Sequence, residues 1–144
     1  MKKTSFPTPE DAEAAFYEAL EQGNLESMMD VWADDEEIVC VHPGGPRLTG
    51  FDQVREGWAL IFKSGSQAKV HLTERVVVQG MMFSVHSLHE NVYAPGARPG
   101  RASAVVTNVY LRSAGGWRLI AHHASPAQRP AAAPPAEPVV KTVH

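Results

Sequence analysis

The feature that most constrains this chain is the segregation of its two hydrophobic periods. Helical spacing dominates the first half and β-branched, partly alternating runs dominate the second. Thr8-Pro9-Glu10-Asp11 is a helix start. Thr8 can cap free amides, Pro9 suits the first turn, and the acids complement the helix dipole. Ala12, Ala15, Phe16, Ala19 and Leu20 then repeat at helical spacing until Gly23. Asn24 opens a shorter helix with Leu25, Met28, Met29 and Trp32, closed by the acids Asp34 to Glu37. Ile38 to His42 is a short β run stopped by Pro43-Gly44-Gly45-Pro46. Thr49-Gly50 starts a third helix, with Val54, Trp58, Ile61 and Phe62 on one face and Gly65 at its end.

Strands follow. Val70 to Val78, Met81 to Tyr93, Ala102 to Arg112 and Trp117 to Ala124 are the expected runs. A loop, Ala94 to Gly100, separates the second from the third, and Ser113-Ala114-Gly115-Gly116 joins the last two as a hairpin. Helices first and strands after predict an α+β domain, with the helices covering one face of a curved sheet. The domain is expected over residues 8–125. From Pro126 the chain is almost wholly Pro and Ala as far as residue 138, so residues 126–144 read as an extended or disordered tail.

Charge narrows the function classes. Residues 10–37 hold eleven acids and no Lys or Arg. Residues 91–136 hold five arginines (Arg98, Arg101, Arg112, Arg118, Arg129) and no acid. These read as a solvated acidic helix face beside a basic sheet rim. The arginines are dispersed, so no nucleic-acid partner is expected. No apolar stretch approaches the roughly 18 residues of a membrane span, and no apolar run follows Lys2-Lys3 as in a secretory leader. The lone Cys40 excludes an internal disulfide framework, and a reducing cytoplasm is the default.

Cys40-Val41-His42-Pro43-Gly44-Gly45-Pro46, then Gly50, Val54-Arg55 and Trp58, resemble the front half of SnoaL-like proteins. Glu90-Asn91-Val92, Thr107-Asn108-Val109-Tyr110, Gly116-Trp117-Arg118-Leu119 and His122-His123-Ala124-Ser125 resemble the back half. Those proteins form part of the nuclear transport factor 2-like, or ketosteroid-isomerase-like, superfamily. The resemblance implies a cystatin-like, cone-shaped α+β barrel whose mostly antiparallel sheet curls around a pocket closed by the helices. It also implies a homodimer through the outer sheet face. Fold alone assigns no activity.

Strand alternation sorts the faces. A two-residue reversal between the last strands places Val106, Asn108, Tyr110, Trp117, Leu119, Ala121 and His123 together. Val105, Thr107, Val109, Leu111, Arg118, Ile120 and His122 fall on the other side. The first set is aromatic with two polar groups and is assigned to the cavity; the second suits a subunit interface. Since His122 and His123 are adjacent on a strand, only one can face a given cavity. His86, Leu88 and Glu90 share a face, as do Cys40 and His42. Trp32 and Trp58 are large helix residues suited to plug the cone.

The ligand-lining candidates are therefore Trp32, Cys40, His42, Trp58, His86, Asn108 and Tyr110, with Glu90 and His123 as the acid–base pair. Each also has a plainer role. The tryptophans are core residues, Tyr110 anchors its hydroxyl to a backbone group, and Cys40 is a small buried hydrophobe. Glu90 is costly to bury unless paired or protonated. It either pairs with an arginine such as Arg101 or serves as a pocket acid or base.

The family chemistry of the isomerases and cyclases rests on strand aspartates, and this sequence has no aspartate after Asp52. No metal site is expected: His86-x-x-His89 does not share a strand face, and no paired-cysteine element exists. No cofactor motif is present either. The expected function is a small-molecule-binding domain holding a largely apolar ligand. The alternatives are an isomerase, cyclase or hydrolase-type enzyme using Glu90 and His123, and a homo-oligomeric association domain.

Overall fold

The computed structural model describes residues 3–65, 68–93 and 101–128. The expected loop over 94–100 and the tail from residue 129 onward lie outside the described residues.

Helix α1 (Pro9–Gln22) begins where the sequence places it, with the Thr8 hydroxyl accepting from the Asp11 amide at 3.0 Å. It ends at Gly23, whose φ of 64° is the left-handed value that glycine adopts without strain. Asn24 caps α2 (Leu25–Val31) by accepting from the Ser27 amide. Strand β1 (Val39–Val41) turns through the proline–glycine segment into β2 (Arg47–Thr49), a short partner that the sequence patterning missed. The turn residues expected to stop β1 instead reverse it. Helix α3 (Phe51–Lys63) has no side-chain cap on its own first turn, but Gln53 reaches back to accept from the Thr49 amide. Of its expected apolar face, Val54 and Trp58 are buried and Ile61 is exposed.

Strands β3 (Lys69–Gln79), β4 (Phe83–Tyr93), β5 (Arg101–Ser113) and β6 (Gly116–Pro126) supply most of a six-stranded sheet in the order β2-β1-β6-β5-β4-β3. Every junction is antiparallel except β1 with β6, which is parallel. The α+β class with helices on one face of a mostly antiparallel sheet is thus as expected. Strand β6 runs into the first tail residues, and the Ala127 amide still bonds to the Ser103 carbonyl.

Two bulges set which side chains face inward. One lies in β3 between Thr73 and Val76, where Glu74 takes a φ of 53°. The other lies in β6. Tyr110 pairs with Leu119 but Val109 pairs with Ala121, so Ile120 has no counterpart. A bulge inserts one residue and reverses the inside–outside alternation beyond it. The two-residue reversal itself is present, with Ser113 opposite Gly116.

The core lies between the helices and the inner sheet face. Trp32, Trp58, Phe16, Met28, Leu88, Val106, Tyr110 and Leu119 are its largest contributors. The opposite face of the sheet is apolar and open: Val76, Val78, Phe83, Val85 and Val105 are all exposed. Ahead of α1, Phe6 forms a bridge with Gly116, and its carbonyl accepts from the Trp117 amide at 2.9 Å. Arg118, expected on the outer face, is buried with its guanidinium over the Phe6 ring.

Gly116 sits at a φ of 110°, and a Cβ there would lie 2.7 Å from the Phe6 nitrogen. Both backbone strain and contact with a fixed backbone oppose any side chain. Gly116→Ala is expected to lower unfolding stability by about 2 kcal/mol or more, measured by urea denaturation. A loss within error would show that the Phe6 strap moves freely.

Candidate functional site

The inner face of β4, β5 and β6 and the buried side of α1 bring an unusual number of polar groups together. Helix α1 buries Glu13, Phe16 and Tyr17 along with Ala12 and Ala19. From β4 come Ser84, His86 and Glu90, from β5 Asn108 and Tyr110, and from β6 His122; all are buried. Cys40 on β1 and the half-buried His42 just after it complete the wall, with their side chains 3.6 Å apart.

Glu90, only 6% exposed, ends a chain of hydrogen bonds. The Tyr17 hydroxyl donates to its Oε2 at 2.6 Å. Asn108 Nδ2 donates to the Tyr17 oxygen at 3.0 Å, and Asn108 Oδ1 lies 2.6 Å from His122 Nδ1. An amide oxygen can only accept, so the His122 nitrogen facing it carries the proton. Asn108 and His122 meet because they are direct partners across the β5–β6 ladder.

A second network lies beside the first. Glu13 Oε1 accepts from Arg75 Nε at 2.8 Å, and Glu13 Oε2 lies 3.0 Å from His86 Nδ1. His86 Nε2 in turn meets Ser84 Oγ at 2.9 Å. Arg75 itself lies within the β3 bulge. The His86 ring packs on Tyr110 with centroids 4.7 Å apart.

Electrostatics differ between the two carboxylates. Burial raises Glu90 to about 7, a rise only partly opposed by the Tyr17 hydrogen bond. Burial would raise Glu13 as well, but hydrogen bonds from His86 and Arg75 outweigh it and hold the carboxyl below its ordinary range. Burial lowers His122 to about 3, helped by His42 and His123, so its imidazole is neutral at physiological pH. Burial also lowers His42. The Cys40 thiol is pushed up to about 12 by burial and then by Glu90, which removes thiolate chemistry.

Several expectations meet this geometry directly. Trp32, Cys40, Trp58, His86, Glu90, Asn108 and Tyr110 are all buried inside, with His42 at the edge of the same wall. His123 is corrected: it is exposed, and His122 faces inward. The Ile120 bulge is the cause, since it shifts the alternation by one residue between Leu119 and Ala121. The same shift removes Ala121 from the inner set and brings in Ala124. Glu90 meets the Tyr17 hydroxyl; among the described residues no cation pairs with it, and the Arg101 side chain lies outside them. Among the described residues no group of three or more His, Cys, Asp or Glu is placed to hold a metal ion. No helix among them is long and apolar enough to cross a membrane.

Sequence reasoning missed Tyr17 and Glu13. The signal was present: Glu13, Phe16, Tyr17 and Leu20 stand at i, i+3, i+4 and i+7. Reading α1 for apolar residues alone rotated its buried face away from these two.

Among the described residues, three buried donors have no hydrogen-bond partner: Trp32 Nε1, Trp58 Nε1 and the Tyr110 hydroxyl. Trp58 packs edge-on to His42 at 4.5 Å between centroids and lies 6.1 Å from the His122 ring. Phe16 closes this group, 5.6 Å from Trp58 and 5.1 Å from His122. Open depressions on the surface lie elsewhere. One of them, about 910 Å³, is bordered by Asp34 to Glu37 and by Thr49 to Gln53.

The Glu90 titration has a defined sign. Its native pKa lies above its ordinary 4.5, so its contribution to stability is complete below about 4.5 and is lost as pH rises through about 7. Glu90→Gln keeps an oxygen for Tyr17 and removes the charge. The variant is expected to match wild type near pH 4.5 and to exceed it at pH 8 by up to about 3 kcal/mol, read from urea denaturation at both pH values. An advantage that does not grow with pH would mean that the carboxyl is not desolvated.

Comparison with known proteins agrees with this architecture. A structure of a proposed calcium/calmodulin-dependent protein kinase type II association domain from Thiobacillus denitrificans is 36% identical, covers 88% of this chain and 100% of its own, and superposes with a TM-score of 0.80. A proposed dehydratase of the NTF2-like family from Streptomyces avermitilis is 31% identical over 82% of this chain and 93% of its own, with a TM-score of 0.75. F-box protein SKIP8 of Arabidopsis thaliana is 23% identical over 76% of this chain, which spans 46% of that protein's length. The model of the SnoaL-like domain matches residues 10–129. With helices laid on a six-stranded sheet and a polar interior between them, the chain belongs to the SnoaL-like family.

Proposed function

We propose that the inside of the cone binds a small, largely apolar molecule whose polar end is met by the Glu90–Tyr17–Asn108–His122 chain. The carrying observation is that chain itself: four buried polar side chains linked end to end between the helices and the sheet. Burying such groups costs more than a packed apolar core would, and here they converge from four separate elements. Trp58, His42, Tyr110 and Trp32 are the walls, and Cys40 is an apolar contact. His86 belongs to the neighbouring Glu13 network and shapes the wall through Tyr110.

The test is thermal unfolding of the full chain against a panel of hydrophobic acids and cyclic ketones. A ligand at a hundredfold excess over its Kd adds about 2.7 kcal/mol, a readily measured rise in melting temperature. A panel that shifts nothing would overturn the proposal. If one of these molecules is turned over, Glu90 is the acid–base group, in keeping with the dehydratase name of the Streptomyces relative. Turnover undiminished in Glu90→Gln would dispose of that chemistry.

A second reading concerns assembly and rests on the outer sheet face. Val78 and Phe83 are 67% and 52% exposed, and Val76, Val85 and Val105 extend the same apolar surface. Exposed patches of this kind mark association sites. The Thiobacillus relative carries the name of an association domain. A homodimer through this face is expected in analytical ultracentrifugation at micromolar concentration, with Val78→Lys/Phe83→Glu shifting it to monomer. A wild-type chain that sediments as a monomer would exclude this interface.

A further inference from the structure

The outer sheet face carries more than its valines. Strand register arranges its residues in rows across the sheet. Val78, Val85 and Val109 form one row, with Ala121 beside them on β6. The next row runs from β2 to β3 through Arg47, Val41, His123, Thr107, Ser87 and Val76. The row after it sets His89 directly opposite Val105, with Ser125 on one side and Thr73 on the other. Two imidazoles therefore stand among the exposed valines of this face.

The two differ in their surroundings. His89 Nδ1 lies 3.8 Å from Glu74 Oε2, on the β3 bulge, so a proton on His89 meets a counter-charge of its own chain. His123 is exposed, and its partners across the two ladders are Val41 and Thr107. Among the described residues no carboxylate lies within ion-pair distance of it. The charged group on its own row is Arg47, a second cation. Its chain neighbour His122 is neutral and turned inward. The other titratable and charged groups of this face stand farther off. His71 is opposite Asn91 and Lys69 opposite Tyr93, while Arg118, at the hairpin end, is committed to the Thr4 carbonyl and the Phe6 ring.

Resting on the reading of this face as a homodimer interface, we infer that His123 makes the association pH-sensitive: two copies join while its imidazole is neutral and part as it takes up a proton. A neutral imidazole is tolerated between two apolar sheet faces, whereas an imidazolium taken from water without a counter-ion is not. An isologous interface presents the residue twice, so acidification adds two charges to one contact, each on a row that already holds Arg47. Imidazole is the side chain whose charge ordinarily changes between pH 5 and 8. The sign follows by linkage. The dimer binds fewer protons than two separate copies, so association weakens as pH falls. His89 takes no part in the switch, because Glu74 offsets its charge.

The test is analytical ultracentrifugation of the full chain over a concentration series at pH 7.5 and pH 5.5, with circular dichroism at both to separate dissociation from unfolding. The wild-type dimer Kd is expected to rise about tenfold or more at the lower pH. His123→Gln, a change at an exposed position, is expected to dimerise equally at both. His89→Gln is expected to keep the wild-type dependence. Glu90→Gln is expected to keep it as well, which separates His123 from the interior carboxyl that titrates in the same range. Equal wild-type affinity at the two pH values would overturn the switch and leave the interface standing. So would a dependence that survives in folded His123→Gln, or one that disappears in His89→Gln or Glu90→Gln. A wild-type chain that is monomeric at pH 7.5, or a dimer that persists in Val78→Lys/Phe83→Glu, would overturn the interface and the switch together.

Discussion

The structure is organised around one uncomfortable burial, that of the Glu90 carboxyl in the middle of β4 beneath helix α1. Removing a carboxylate from water is costly unless a donor meets it. The donor comes from α1, through the Tyr17 hydroxyl, so the helix is held against the sheet by a polar contact as well as by Phe16, Ala12 and Ala19. Two further polar groups of the site follow from that contact. Tyr17 needs a second partner and finds Asn108; Asn108 needs one and finds His122. The result is a satisfied chain rather than a set of isolated buried dipoles.

The Glu13 network fastens the same helix to the sheet, yet its charge state is opposite in character. Glu13 meets a guanidinium and a histidine, which favour the ionised carboxylate. Among the described residues Glu90 meets a neutral hydroxyl, and burial raises it toward neutrality. Two carboxylates buried between the same helix and sheet are thus separated in acidity by their surroundings. The Glu13 network is the structural clamp, and Glu90 is the group poised to titrate.

Much of the fold was legible in local chemistry. Thr8, Gly23 and Asn24 placed the first two helices because capping is decided by neighbours three or four residues away. The inward set Ser84, His86, Leu88 and Glu90 follows from simple alternation because β4 is regular throughout its pairing with β5. The short strand β2 was not legible: three residues beside a proline–glycine turn carry little periodic signal, and they are a strand only because Val39–Val41 lie alongside. The site was half legible. Asn108 and Tyr110 were found on the inner face, whereas Tyr17 and Glu13 were passed over because polar residues on a helix are read as solvent-facing by default.

What the amino-acid order determined by itself was the order of elements, their caps and the parity of each regular strand, since these depend on interactions within one turn or one pleat. What only the tertiary structure decided was phase. Ile120 is accommodated as an unpaired residue in β6, and that exchanges His123 for His122 on the inner face. Nothing in Leu119-Ile120-Ala121-His122-His123 marks the bulge. It is set by how β6 must fit between β5 on one side and β1 on the other, a contest between two ladders that no single strand contains.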